Sequence, residues 1–481
     1  MTRRRLILAL ALSLAIPLSA QSDTKVPVTT SSSEALESYL KGRHLSEKLR
    51  GQEARAHFDR AIELDADFAM AYLSGSVTQA TGREFFEHLE TAVAKTDKAS
   101  EGERNWILGF QAGVNGETTI QLEHYEALVA AYPEDERAHN LLGNHWFGRQ
   151  VWARAIESYE RAASINPDYT ATYNQMGYAR RFLEDFDGAE EAFRKYIELI
   201  PDDPNPYDSY AELLIKTGKF ESSIENYKKA LESDVHFVAS HIGIATNLNY
   251  LGRHEEARKQ LDKMEKGARD DGERRGALFA TAVSFLDEGN STEAIATIRK
   301  EQVIAERNND AGLRAGDLIN IGNITLEMGK PEKALPLFAE ALASVRASDR
   351  SEKVKANALR GFHYNTARVE IARQSFDSAA NHIAAFEREV SGLENPFRNR
   401  QLAELRGSLH LAKGEFAAAI TELEGSNQQN PYNLYRIALA HNGNGDSAAT
   451  KMWLEKTVNF NALNNLNYAM IRGKAGRMLK D

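Results

Sequence analysis

Pro133, Pro167 and Pro201 lie 34 residues apart, and the residues between them keep register. After Pro133 come Leu142-Gly143, Ala155, Tyr159 and Ala162; after Pro167 come Met176-Gly177, Ala189, Phe193 and Tyr196. Tyr210-Ala211, Gly218, Ser223, Tyr227 and Ala230 follow Pro201, and Ile321-Gly322, Gly329, Ala334, Phe338 and Ala341 repeat the pattern later. A fixed period of this length admits few folds. Each unit is one supersecondary element that cannot bury its apolar face alone, so it must stack on its neighbours.

Residues 136–169 show what one unit is. Leu142, Gly143 and Trp146 form one stripe at helical spacing. Gly143 has no side chain to hold a second helix away. Gly148 weakens the end of the first helix and begins a turn. Ala155, Tyr159 and Ala162 line the inner face of the second helix, and Pro167 stops it. The unit is a helical hairpin, and the chain predicts an all-α solenoid of about 11–12 of them.

These motif positions resemble the tetratricopeptide repeat (TPR) family, in its exported bacterial form. The resemblance implies a right-handed superhelix of helix–turn–helix units. Extending the register predicts an N-terminal array over 35–271, most regular over 102–265. A second array with longer helices or loops is expected over 272–464, and a capping helix over 465–481. In the degenerate unit near 69–101, Phe85, Phe86 and Leu89 are the expected second-helix core. Ser100 with Glu103, and Asp270 with Glu273, have the spacing of helix-starting capping boxes after inserted loops.

The N-terminus reads as an export signal. Three arginines precede a stretch of about a dozen apolar residues, too short to span a bilayer well, and Leu18-Ser19-Ala20 offers small residues for cleavage after Ala20. Ordinary secretion is favoured over a twin-arginine route, which places the chain in the periplasm or outside the cell. Residues 21–34 are Thr/Ser-rich and read as a flexible lead-in. With no cysteine, disulfides, thiolate nucleophiles, Cys-ligated zinc and a lipid on cysteine are excluded. A formal net charge of −10 disfavours general nucleic-acid binding.

Catalytic and metal signatures are lacking. His139 and His145 lie roughly 120° apart around a helix axis. Zinc helices place histidines four apart with a glutamate between. His139, His241 and His363 occupy the fourth position of their units, which in the family packs an aromatic ring. DDPNPYD (202–208) reads as a helix start rather than a calcium loop. No phosphate-binding, nucleophile-elbow or zinc-protease motif is present. No enzyme activity, cofactor or metal is therefore expected.

What remains is recognition. In the family, ligands commonly lie along the concave surface of the first helices. The corresponding positions here are Arg137, Asn140, Asn144 and Phe147, then Asn174, Tyr178, Arg181 and Phe182, then Asn205, Asp208, Glu212 and Lys216, and later Thr246, Asn249 and Tyr250. An amide donates and accepts at once, which suits the backbone of an extended peptide. The aromatic rings and arginines add anchoring. The lysine–asparagine pattern that holds a C-terminal carboxylate in chaperone-binding members is absent, since Asn140 precedes Asn144. The expected function is an exported, non-enzymatic scaffold that binds a protein or peptide through its groove. The alternatives are an adaptor subunit of a cell-envelope assembly, or an enzyme with a concealed site.

Overall fold

A computed structural model describes residues 24–48, 50–79, 81–393 and 396–480. The expected signal segment and its cleavage point lie outside the described residues. The described residues form helices and no strand. Seven hairpins come first. They pair α1 (Ser33–Glu47) with α2 (Gly51–Leu64), α3 (Ala69–Ser76) with α4 (Gly82–Ala94), and α5 (Glu101–Val114) with α6 (Thr118–Ala131). Next are α7 (Glu136–Gly148) with α8 (Trp152–Ile165), α9 (Thr170–Phe182) with α10 (Phe186–Leu199), α11 (Pro204–Lys216) with α12 (Phe220–Ser233), and α13 (Val238–Tyr250) with α14 (His254–Lys266). Five more follow: α15 (Asp271–Glu288) with α16 (Ser291–Arg307), α17 (Ala311–Glu327) with α18 (Pro331–Arg346), and α19 (Glu352–Ala372) with α20 (Phe376–Val390). The last two are α21 (Pro396–Lys413) with α22 (Phe416–Glu424), and α23 (Pro431–Gly443) with α24 (Ser447–Val458). A single helix, α25 (Leu466–Met478), ends the described chain.

One packing device recurs. A Cβ on Gly143 would stand 2.4 Å from the Tyr159 ring, and one on Gly177 would stand 2.6 Å from Phe193. Gly322 meets Phe338 at 2.5 Å in the same way. Each glycine lets the buried ring of its partner helix lie against bare backbone. Gly42 with Phe58 and Gly109 with Tyr125 keep the same separation in sequence. Gly407 keeps it too, but meets Leu423 instead of a ring. Ala155 and Ala162 are fully buried beside Tyr159.

Capping sets the helix starts. Ser100 and Glu103 form a reciprocal capping box at α5, and the Asp270 side chain accepts from the Glu273 amide at α15. Asp203 caps α11 ahead of Pro204. The hairpin turns place their left-handed residue on glycine in some units and on another residue in others. Gly148 ends α7, and the left-handed residue of that turn is Gln150, at φ 61°. Gly218 takes the left-handed place in the α11–α12 turn, at φ 73°. Phe86, expected in a core, is 40% exposed, while Leu89 is buried.

The array coils until its edges meet. The Gln52 amide donates to Asp270 at 3.2 Å across 218 residues. Lys353 pairs with Glu117 at 2.7 Å across 236 residues, and Arg400 reaches Gln150 across 250. In each case the start of an outer helix of the first coil, or the turn just before it, touches the N-terminal part of an inner helix in the next. A separation of 236 residues is close to seven periods of 34.

Residues 24–32 correct the expectation of a flexible lead-in. They run extended across the edge of the first coil, and three carboxylates accept their donors. Val26 N donates to Asp135 at 2.7 Å, Thr29 N to Glu103 at 2.7 Å, and Ser31 N and Thr30 Oγ1 to Asp65 at 2.8 and 2.6 Å. The Val26 side chain is buried against Leu128 and Ala138. Backbone donors do not depend on side-chain pattern, so a Thr/Ser-rich stretch is tied down without looking structured.

Candidate partner-binding groove

The inner helices α7, α9, α11 and α13 carry the expected groove positions, and the structure divides them into two groups. Along α7 and α9 several retain unused capacity. Asn140 and Asn174 are each only 7% exposed, and neither carbonyl oxygen has a hydrogen-bond partner. They stand one period apart on neighbouring inner helices. Asn144 is exposed and accepts from the Tyr159 hydroxyl at 2.8 Å. Phe147 and Phe182 pack edge to face with centroids 5.8 Å apart, and Trp152 stacks on Phe182 at 4.5 Å. Trp152 was missed from sequence because it opens the outer helix α8, outside the first-helix positions that face the groove. Arg137 is not free: it clamps Asp135, with its Nη2 at 3.0 Å.

From α9 to α13 the expected residues pair with one another. The Tyr178 hydroxyl donates to Glu212 at 3.0 Å, and Arg181 pairs with the same carboxylate at 3.2 Å. Arg181 also lies over the Tyr178 and Phe182 rings. Asn205 donates to the Tyr196 hydroxyl at 2.6 Å. Ser240 donates to Asp208 at 2.7 Å, and Ser284 donates to Asn249 at 2.7 Å. Burial, and then the Glu212 charge, push the Asp208 carboxyl up to about 8. Burial, and then the Arg181 charge, pull the Lys216 ammonium down to about 8. These side chains knit adjacent inner helices together, so the structure does not leave them facing an open channel.

A segment of the chain itself then enters the coil. Residues 459–465 leave α24, turn through left-handed backbone at Asn461 and Asn464, and run against α11 and α13. The Lys216 ammonium donates to the Phe460 carbonyl at 3.0 Å and sits 4.4 Å above its ring. The Asn461 amide donates to the Lys216 carbonyl at 3.4 Å, and the Tyr250 hydroxyl donates to the Ala462 carbonyl. Leu463 packs on the apolar cluster that includes Ile215 and Ile244.

Helix α25 continues this path. It packs on α23 and α24, while another face meets α15. Tyr468 and Ile471 are buried beside Val283 and Leu286 of α15. Arg472 donates to Asp287 at 2.8 Å and lies over the Tyr250 ring. His254 approaches the other oxygen of Asp287 at 2.9 Å. Burial opposes ionisation of Asp287, but its bonds to His254 and Arg472 hold it below the usual carboxylate range. Lys474 pairs with Glu327 at the end of α17.

The interior of α15–α23 is closed by buried charge. Arg275 pairs with Asp317 at 2.7 Å, and Arg368 donates to Asn323 at 2.8 Å. Glu404 accepts from Tyr364 at 2.6 Å and from Arg436 at 2.8 Å. The histidines have local partners: His139 bonds the Pro133 carbonyl and His241 the Val235 carbonyl, each six residues back. His363 and His382 face each other at 3.2 Å.

Tetratricopeptide repeat models match residues 122–170, 170–203 and 205–234. This stretch is built of tetratricopeptide repeats. The same glycine–ring separation recurs outside that stretch, in α1–α2 and α17–α18. The mitochondrial import receptor subunit TOM70 of Homo sapiens is 23% identical over 145 residues, 30% of this chain and 23% of its own length. The Mus musculus protein of that name is 20% identical over 123 residues, 25% of this chain and 20% of its own length. The chain therefore spans less than a quarter of these curated relatives. Among solved structures, a TPR protein from Parabacteroides merdae is 16% identical. That match covers 55% of this chain and 98% of that one, with a TM-score of 0.39. YrrB, a TPR protein with an unusual peptide-binding site, is also 16% identical. Its match covers 40% of this chain and 95% of that one, with a TM-score of 0.27. Among the described residues no helix is long and apolar enough to cross a membrane.

Proposed function

We propose that this chain is an exported interaction scaffold, and that it holds an extended segment of a partner protein along the inner face of α7 and α9. One observation carries the reading. Asn140 and Asn174 repeat with the period of the array, are almost fully buried, and leave their carbonyl oxygens unpaired. A buried acceptor without a partner is costly in a folded protein. Both oxygens are shut off from solvent as the chain stands, so a ligand backbone reaches them only when the two side chains turn outward into the groove. The exposed Asn144 and the Phe147–Trp152–Phe182 cluster beside them offer a polar contact and an aromatic anchor. A receptor-like role, which the names of the mammalian relatives describe, would use the inner face in the same way. Export rests on residues 1–20.

Crosslinking in the source cells, followed by pull-down and mass spectrometry, tests the groove. Asn140, Asn144, Asn174 and Arg181 are changed together to alanine, and folding is checked by circular dichroism. Partners crosslinked to the native chain should be lost. Their full retention by the folded variant would sink the groove reading. The same experiment reads the N-terminus of the recovered chain, which begins at Gln21 if the signal is cleaved as proposed.

A further inference from the structure

We propose that the inner face of α11–α17 is a second segment-binding surface, and that residues 459–474 are its resident ligand, exchangeable for a partner of the same chemistry. That partner is an extended, acid-free stretch with an aromatic ring, leading into a basic helix. The proposal extends the groove reading to another part of the coil and shares its premise that the inner helices receive polypeptide.

Three features separate this tail from an ordinary terminal hairpin. First, it is held through its main chain. Lys216 takes the Phe460 carbonyl and Tyr250 takes the Ala462 carbonyl, contacts that another sequence in the same conformation would also make. Second, the charges are complementary. Residues 459–480 contain Arg472, Lys474, Arg477 and Lys480 and no acid. The face that receives them presents Asp287 and Glu327, and both are paired to the tail. Third, recognition is mixed as in peptide grooves: an aromatic ring under a cation, a leucine on an apolar patch, and an arginine anchored at the far end.

An intramolecular ligand lowers the apparent affinity for a competing one by the fraction of molecules in which the site is open. Weakening the tail without touching the receiving face should therefore tighten binding of an added segment. Arg472 is the residue for this, because it belongs to the tail and its partner Asp287 belongs to α15.

The experiment uses the full chain and a fluorescent synthetic peptide of residues 458–474, read by anisotropy. The native chain should bind it weakly, and Arg472→Ala should bind it about tenfold or more tightly. Asp287→Ala loosens the tail equally but removes the anchor for the peptide arginine, so it should gain much less. A peptide with glutamate in place of Arg472 and Lys474 should not bind the Arg472→Ala chain. Hydrogen exchange of residues 459–472 shows whether the tail has loosened. Faster exchange in Arg472→Ala with unchanged peptide affinity overturns the proposal, because the surface then accepts nothing in trans. Unchanged exchange also overturns it, because Arg472 then does not hold the tail. Equal gains for Arg472→Ala and Asp287→Ala would remove the assigned anchor and with it the stated partner chemistry. None of these readings involves Asn140, Asn144 or Asn174. Failure of the α7–α9 groove in crosslinking is thus a separate result.

Discussion

Along α7 and α9 the inward positions are Asn140, Asn144, Asn174 and Tyr178; along α17, α19 and α21 the corresponding line holds Asn323, Tyr364, Arg368 and Glu404. The hairpins that display them are built alike. Gly143 faces Tyr159 in one region as Gly322 faces Phe338 in the other. The inward chemistry differs. Neutral amides leave acceptors unused, whereas the charged residues of the second region find partners across the interior and shut it. Helix length adds to this, since α7 and α9 have 13 residues while α17, α19 and α21 have 17, 21 and 18. Packing within a hairpin and use of its inner face are therefore separate properties of one repeat.

The largest effect should come from the closed region. Glu404→Ala strands the buried Arg436 guanidinium and is expected to cost about 3–5 kcal/mol, read by chemical denaturation. A cost under about 1 kcal/mol would mean that this interior is wetter and looser than the contacts imply. Next, Gly143→Val and Gly322→Val should each cost about 1–3 kcal/mol or more, because both drive a side chain into a buried ring. Strongly unequal costs would break the claim that the two regions share a packing code. Ala155→Trp belongs to the same class, and Trp at the exposed Glu157 is its control.

A pH series sharpens the border between the regions. The folded Asp208 carboxyl is raised to about 8 from 3.8, so its contribution to stability falls as pH climbs from the unfolded value through about 8. Asp208→Asn should therefore match the native chain near pH 4 and exceed it at pH 9, by about 1 kcal/mol or more. A melting-temperature difference that does not change between those pH values would contradict the raised carboxyl. The smallest effect is expected at Asn140. Its carbonyl is buried without a partner, so Asn140→Ala should cost nothing and raise stability by up to about 1 kcal/mol. A clear loss there would show that the amide already serves the fold.

What was legible in the sequence follows the range of the interactions. Pro167, Gly143, Ala155 and Tyr159 act within one unit, so spacing alone identified the hairpin and the stack. Asp203 and Ser100 cap helices that begin beside them. The pairing of Arg472 with Asp287 spans 185 residues, and that of Tyr250 with Ala462 spans 212. Such contacts depend on the curvature of the whole coil, to which every hairpin adds a small rotation that no single unit encodes. The groove line runs along the inner helices α9, α11 and α13. It could not show that Glu212 would be occupied by Tyr178 and Arg181, or that Tyr250 would be covered by the tail. Residues 24–32 were misread because their anchors, Asp65, Glu103 and Asp135, look like ordinary helix-end carboxylates.

The meeting of successive coils has a mechanical consequence. Gln52–Asp270, Lys353–Glu117 and Arg400–Gln150 are the ties of a spring, placed at its rims, where solvent screens them. Only Lys353–Glu117 is an ion pair, the other two joining a charge to a neutral amide, and rim contacts of this kind contribute little each. The pitch is thus set by soft fasteners while each hairpin stays stiff. Raising the salt concentration should lengthen the molecule along its axis, as seen in solution scattering, with its helix content unchanged.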